Sequence, residues 1–500
     1  MEASRPSFVS RHNIYVTPEL RDLLQPKSSP EAEVEPPYTG PTSFSPDDVG
    51  AAIEAAKSSE ESMWRGATIA IRKALSKTSG PPIQAVADSG VLPRLVEFMS
   101  GGGGGAMGSD PELQLEAAWA LCNVASGTSQ QCGEVVAAGA LPAVLPLLSS
   151  PRPELREQAA WLLGNIAGDG IGLRNQCLEA GALLPVLQAL RDETNAKALQ
   201  QLAWLVSNIL RWKPRPDNAV RDSLPVLLAM VVRTDLHEEA LTDIFWGLAY
   251  SSDHNPDAIP RQAGCQAALA RAAEVLDRPK APKSLVSAAV RLLSQLPTGG
   301  ELATTAVIDT GVLAGGFKRI LLDSEVEPHV TDVLFALSNI VATAELDYQP
   351  KAVAEAGLIP LVVDAIRQQV KSRPRREAVH TLANLSMFRK YAPIAWESGA
   401  VEALVDFLTQ PQLMSHDGGS LSKADSVAAH AAMEGLVKYA QVGKALAAAS
   451  GGPNPVLSAF ASARLHERLC EARDCGELPR SVVRDLEALL RDFPPAEQGQ

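Results

Sequence analysis

Cysteine is scarce: six in 500 residues, at 122, 132, 177, 265, 470 and 475. That density excludes a disulfide framework. There is no paired CxxC zinc pattern, and a reducing, cytosolic or nuclear setting is expected. Long apolar runs are missing too. The longest, such as 224–232, fall far short of the ~20 residues of a membrane span, and the start, MEASRPSFVSRHNIYV, has no apolar stretch of signal-peptide length. Basic charge is not in excess either. Lys and Arg number 45 against 58 Asp and Glu, a formal net charge of −13, which argues against a general nucleic-acid binder and permits a basic partner. Signatures of catalysis are lacking: no P-loop, GxSxG or HExxH, and eight scattered histidines. The glycines at 101–105 lack the strand before and helix after that a phosphate loop needs. No catalytic site, metal site, cofactor or membrane association is expected. What remains is apolar material, 46% hydrophobic against 21% charged, enough to bury a large core.

The chain repeats itself, and this decides the architecture. A Gly stands before a short apolar run in DSGVLPRLVEFM (Gly90), AAGALPAVLPLL (Gly139), EAGALLPVLQAL (Gly181), DTGVLAGGFKRIL (Gly311), EAGLIPLVVDAI (Gly357) and ESGAVEALVDFL (Gly399). Each reads as a helix ending at a Gly with positive φ, followed by a helix that tolerates Pro in its first turn. Between these lie EAAWALCN, EQAAWLLGN, LQQLAWLVSN and LTDIFWGLAY, whose tryptophans at 119, 161, 204 and 246 are spaced by 42, 43 and 42 residues. Arg291, Phe335 and His380 continue the series in weaker copies. Further copies are expected in HAAMEGLVKYA (430–440) and in a capping helix, SVVRDLEALLRDF (481–493). A period in the low forties, with no sustained period-2 alternation, predicts an all-α, right-handed superhelical solenoid of about ten armadillo repeats over 45–494. The Pro-, Ser- and Glu-rich residues 1–44 and the tail 495–500 are expected to be disordered. Residues 101–110 read as a Gly-rich insertion and 410–424 as a loop insertion.

The repeat carries its own chemistry. Trp119/Asn123, Trp161/Asn165 and Trp204/Asn208 are each four apart, so each pair emerges on one helix face. Stacking lines the pairs along a single groove. A row of carboxamides can pair with the N–H and C=O of an extended peptide without reading its sequence, while indoles form slots for aliphatic stems and attract Lys or Arg heads. An isolated buried Trp is ordinary core packing. Packing alone does not explain why Asn, a poor interior helix residue, returns three times at one offset. Nearby acids supply charge selectivity. Asp169 closes the helix of Asn165, where a carboxylate is unfavourable unless it serves a purpose. Asp243 precedes Trp246 by three, and Asp253 follows Tyr250. Arg211 adds positive charge, repelling basic side chains and fixing where a basic cluster sits.

At these residues the sequence resembles importin-α, the adaptor family for proteins bearing Lys/Arg-rich nuclear localisation signals. The likeness is strongest in PPIQAVADSGVLPRLVEFM (81–99), LQLEAAWALCNVASGTSQQ (113–131) and EQAAWLLGNIAGD (157–169), and it thins beyond the fifth repeat. The resemblance implies ten armadillo repeats, two peptide sites in the concave groove, and residence in cytoplasm and nucleus. The major site falls on Trp119, Asn123, Trp161, Asn165, Trp204 and Asn208. It assigns Asp169 as the acid receiving the signal's key lysine and Gly127 as a backbone acceptor for it, with Asp243, Trp246 and Tyr250 at the end of the site. Cys132 stands where the family usually has Thr, and a thiol is a weaker hydrogen-bond partner. The minor site is eroded. Asn339, Asn384 and Glu377 match, but Phe335 and His380 replace its tryptophans and Gln295 an Asn, so two-cluster signals are expected to gain little. The family's basic arm for importin-β has no counterpart in 1–44, which holds Arg5, Arg11, Arg21 and Lys27 against six acids. This predicts either an incomplete gene product or a branch that does not engage importin-β conventionally. Residues 456–493 resemble the last repeat, which in the family binds the export receptor with Ran-GTP. The competing class is a non-transport armadillo scaffold of the catenin type. Its groove is basic where this one is expected to be acidic.

Overall fold

The structure, a computed structural model, describes residues 44–102, 110–323, 327–342, 347–368, 371–409, 422–462, 464–474 and 478–492. The extension 1–43, most of both insertions (103–109 and 410–421) and the tail from 493 lie outside the described residues. Every regular element described is helical, and among these residues no single helix is long and apolar enough to cross a membrane. The described residues form two compact units, 44–254 and 255–492, in which each helix packs mainly on its near neighbours in sequence, as in a solenoid.

The longest helix of each repeat carries the ladder residues. In the first unit these are α1 (Glu61–Leu75), α2 (Pro111–Ala125), α4 (Pro153–Asp169), α5 (Ala196–Arg211) and α6 (Glu238–His254), with α3 (Ser129–Ala137) between α2 and α4. Each of the five packs on the next in that order. Local chemistry sets their starts. Asp110 caps α2, accepting from the Glu112 N–H at 2.9 Å, with Pro111 in the first turn. Thr128 and Gln131 form a capping box on α3, and the Asn195 side chain accepts from two N–H groups of α5. Apolar and small residues fill the layers: Leu113, Ala117, Ala118, Leu121, Ala159, Ala160, Leu163 and Ala203 are buried, a fully buried Leu stabilising by roughly 1.5–3 kcal/mol.

The second unit repeats the scheme with α7 (Cys265–Asp277), α8 (Lys283–Gln295), the short α9 (Lys318–Leu322), α10 (Glu327–Ala342), α11 (Ser372–Leu385), α12 (Lys423–Ser450) and α13 (Arg480–Asp492). The copy expected at 430–440 lies inside the 28-residue α12. The capping helix expected at 481–493 is α13. All six repeat glycines adopt positive φ, from 68° at Gly357 to 92° at Gly399, so the punctuation read from the sequence is the punctuation of the fold. The regular helix expected after Gly311 does not form. Leu313–Phe317 is a π-turn with Gly315 at φ −95°, ψ −111°, where a Cβ would stand 2.6 Å from the Asp277 carboxylate.

Candidate functional site

The ladder residues of the first unit come together on α2, α4, α5 and α6, and the hydrogen bonds show what holds them. The Asn165 amide donates from Nδ2 to the carbonyl of Cys122 at 3.3 Å. Asn208 does the same to Gly164 at 3.1 Å. In both cases the acceptor is the residue just before the preceding ladder Asn, so each carboxamide ties its helix to the one before. Asn123 donates to the Ser76 hydroxyl at 3.0 Å, at the end of α1. The Oδ1 atoms of Asn165 and Asn208 are buried and have no partner, although an unmet buried acceptor costs roughly 1–3 kcal/mol. The Trp161 Nε1 is in the same condition.

The indoles are more deeply set than a row of open slots. Trp161, Trp204 and Trp246 are 2%, 2% and 4% exposed, and only Trp119 is partly open. Trp204 lies across α4 so closely that a Cβ on Gly164 would stand 2.4 Å from its ring, and one on Gly168 would stand 2.9 Å from the Asn208 amide. Both glycines are therefore part of the site, which sequence reasoning missed. Trp246 stacks on Tyr250, centroids 5.7 Å apart.

Trp119 already holds a cation. The Arg72 guanidinium sits 4.4 Å from its ring centroid and is bound by Glu116 at 2.7 and 3.0 Å in a buried, two-pronged pair. Arg72 and Ser76 are four apart and stand 47 residues before Trp119 and Asn123. They are the first repeat's ladder pair in disguise, and that spacing was the signal that could have revealed them. The arrangement displays the recognition chemistry expected of the groove, with a cation on an indole face and a carboxylate behind it.

Asp169 is the last residue of α4, partly exposed, accepting from the Ser129 hydroxyl at 2.9 Å. Gly127 lies in the turn before α3, where a Cβ would stand 2.1 Å from the capping-box oxygen of Gln131, so any other residue there would displace that side chain from the cap. Cys132 is fully buried; its thiol is pushed up by burial first, then by the Asp169 carboxylate and by Cys177. Asp243 is buried. Asp253 requires a correction as a selectivity acid: Lys213 and Arg215 both grip its carboxylate at 2.7 Å. Arg211 lies over the Trp212 ring at 4.8 Å, its guanidinium held below its ordinary value by burial.

In the second unit Asn384 keeps the tie, donating to the Ser338 carbonyl at 3.2 Å. Asn339 donates to the carbonyl of Phe335 in its own helix, at 2.7 Å. Phe335 and His380 are buried, as is Glu377, which accepts from the Ser338 hydroxyl at 3.4 Å. At the Trp position of α8, Arg291 pairs with Asp332 at 3.2 Å, repeating the Arg72–Glu116 solution. Among the described residues no cluster of three His, Cys, Asp or Glu could hold a metal.

Stacked three-helix repeats with this punctuation define an armadillo-repeat protein, and the armadillo/beta-catenin-like repeat family matches residues 81–126 and 128–168. The crystal structure of an engineered protein shares the fold, with a TM-score of 0.71 at 23% identity over 89% of this chain and 98% of that one. The ladder narrows the class. The chain is 35% identical over 308 residues to importin subunit alpha-1a of Oryza sativa subsp. japonica, covering 61% of this chain and 56% of that protein. It is 38% identical over 248 residues to importin subunit alpha-3 of Arabidopsis thaliana, 49% of this chain and 45% of that protein. With importin subunit alpha-B of Dictyostelium discoideum it shares 48% over 195 residues, 38% and 36%. It is an importin-α-like armadillo protein. The matched part spans about half the length of these relatives or less.

Proposed function

We propose that the chain is a non-enzymatic adaptor for nuclear protein import, binding Lys/Arg-rich localisation signals of cargo proteins along α2, α4, α5 and α6 and working between cytoplasm and nucleus. One observation supports this most directly. The Asn165 and Asn208 carboxamides are pinned by their nitrogens and leave their oxygens buried and unmet, as suits acceptors for the N–H groups of an extended strand. In this reading Trp119, Asn123, Trp161 and Trp204 complete the wall, and Asp169 receives a lysine head beside the Gly127 turn. Asp243, Trp246 and Tyr250 close the far end. Each cation on an indole contributes about 0.5–2 kcal/mol.

The depth of the indoles shapes the mechanism. A basic side chain enters only when the rings part, so binding is expected to change tryptophan fluorescence. The Arg291–Asp332 pair and the Phe335/His380 replacements support a subordinate role for the second ladder, in which Asn384 and Glu377 contribute little. Importin-β, and the export receptor with Ran-GTP, are the partners this reading brings with it.

The test is titration of a labelled Lys-rich signal peptide against a charge-reversed control at two salt concentrations. Specific binding that weakens with salt and is lost in Asp169→Lys is expected. Equal affinity for both peptides sinks the adaptor reading in favour of a non-transport scaffold. A pull-down with importin-β then decides whether this chain recruits it directly.

A further inference from the structure

Basic side chains from four elements of the second unit surround one opening. A cavity of about 170 Å³ is lined by Arg278, Lys283, Arg319 and His329, with Asp323 its one acid and Val286 and Ile320 among its apolar walls. Arg278 follows α7, Lys283 opens α8, Arg319 belongs to α9 and His329 to the first turn of α10. No side chain caps the start of α8, so the positive end of that helix and its first N–H groups add to the field.

One of the lining groups has a buried donor without an acceptor. Arg319 is anchored by the Leu276 carbonyl through one terminal nitrogen, while its Nε is buried with no partner. His329 is 7% exposed. Its Nε2 meets the Ser287 hydroxyl at 2.7 Å, and its Nδ1 is buried and unpartnered. In a chain with a net charge of −13, guanidinium groups usually find carboxylates: Arg72, Arg156, Arg215 and Arg291 each have one. Lys283 and Arg319 hold none among the described residues.

We infer that this opening binds a phosphate-class dianion, either the phosphate of a phosphorylated side chain on a partner or inorganic phosphate. Lys283 and Arg319, which reach the opening from α8 and α9, together with the first N–H groups of α8, suit a tetrahedral anion with oxygens in several directions better than a planar carboxylate with two. The volume is well below the ~300–1,000 Å³ of ordinary small-molecule pockets, which fits one such group and not a cofactor. None of the peptide-ladder residues enters the argument, so the site stands or falls independently of the adaptor reading.

The full chain is titrated with inorganic phosphate, with a phosphoserine peptide and with the same peptide unphosphorylated, following the His329 imidazole resonances by NMR. The phosphorylated ligands are expected to shift these resonances saturably and the unphosphorylated peptide to leave them in place. Lys283→Glu, an exposed substitution that should keep the thermal midpoint, is expected to weaken binding at least tenfold. Arg319→Gln is expected to do the same. A phosphopeptide affinity tenfold or more above that of the ion assigns the site to a partner's side chain, and equal affinities assign it to the free ion. No saturable shift with either phosphate ligand, or unchanged affinity in Lys283→Glu, overturns the proposal.

Discussion

The ladder of the first unit and its thinner counterpart in the second are built on the same helix and the same offset of four residues, yet they have come to different ends. On α4 and α5 the Trp/Asn pairs are complete, each amide reaches back to the previous helix, and Gly164 and Gly168 let the next pair lie flat. On α10 and α11 the aromatic positions are Phe335 and His380. The residue matching Gly164 is Ser338, and Asn384 still reaches back. Further on, the Tyr439 hydroxyl of α12 donates to the Leu382 carbonyl at 2.8 Å and ties the helices in another way. The tie between neighbouring helices thus outlasts the indoles. On the proposed reading, holding the stack together and presenting a recognition surface are separable tasks, and the second unit has kept the first while loosening the second.

The largest effect expected on that contrast is electrostatic. Asp169→Lys should weaken a single-cluster basic peptide at least 100-fold, about 3 kcal/mol, whereas Glu377→Gln should change it less than threefold. Fluorescence titration reads both, and equal losses would erase the distinction between the two ladders. Next comes packing. Gly164→Ala gains up to ~1 kcal/mol of helix propensity but drives a methyl into the Trp204 ring, and a net loss of about 1–3 kcal/mol is expected in thermal or denaturant unfolding. Ser338→Ala, at the matching position, should cost less than ~1 kcal/mol. The reverse experiment is milder: Phe335→Trp with His380→Trp should improve a two-cluster peptide by about 0.5–2 kcal/mol and leave a one-cluster peptide unchanged, as calorimetry would show.

The smallest effect concerns acid. Burial holds the His329 imidazole below its ordinary value, with Arg291 and Lys283 acting in the same direction and Asp332 against them. The folded unit therefore takes up that proton less readily than the unfolded chain. Its contribution to stability is constant above about pH 6.5 and is lost as pH falls below it. In the first unit His237 is exposed and His254 partly so. Amide exchange on α8 and α10 should accordingly quicken before that on α4 and α5 as pH drops, and His329→Gln should remove part of the difference.

Much of this was legible before any coordinates. Tryptophans 42 to 43 residues apart and glycines ahead of apolar runs report on repeat length and helix ends, which are local properties of a periodic chain. What could not be read depends on which atoms meet across one repeat. Nothing local to Gly164 announces that an indole 40 residues later will rest on it. Asp253 looked like a selectivity acid because Lys213 and Arg215, which neutralise it, approach only once the chain has turned back. Arg72 was overlooked because it carries the opposite character from the residue whose place it takes.

The pinned carboxamides have one more consequence. With its nitrogen committed to the helix behind, a ladder Asn is not free to rotate by half a turn and exchange donor for acceptor. A strand entering tail first would present its carbonyls and amides in the wrong order to a template that cannot adjust. If a strand binds there as proposed, its polarity is thus written into the protein before it arrives.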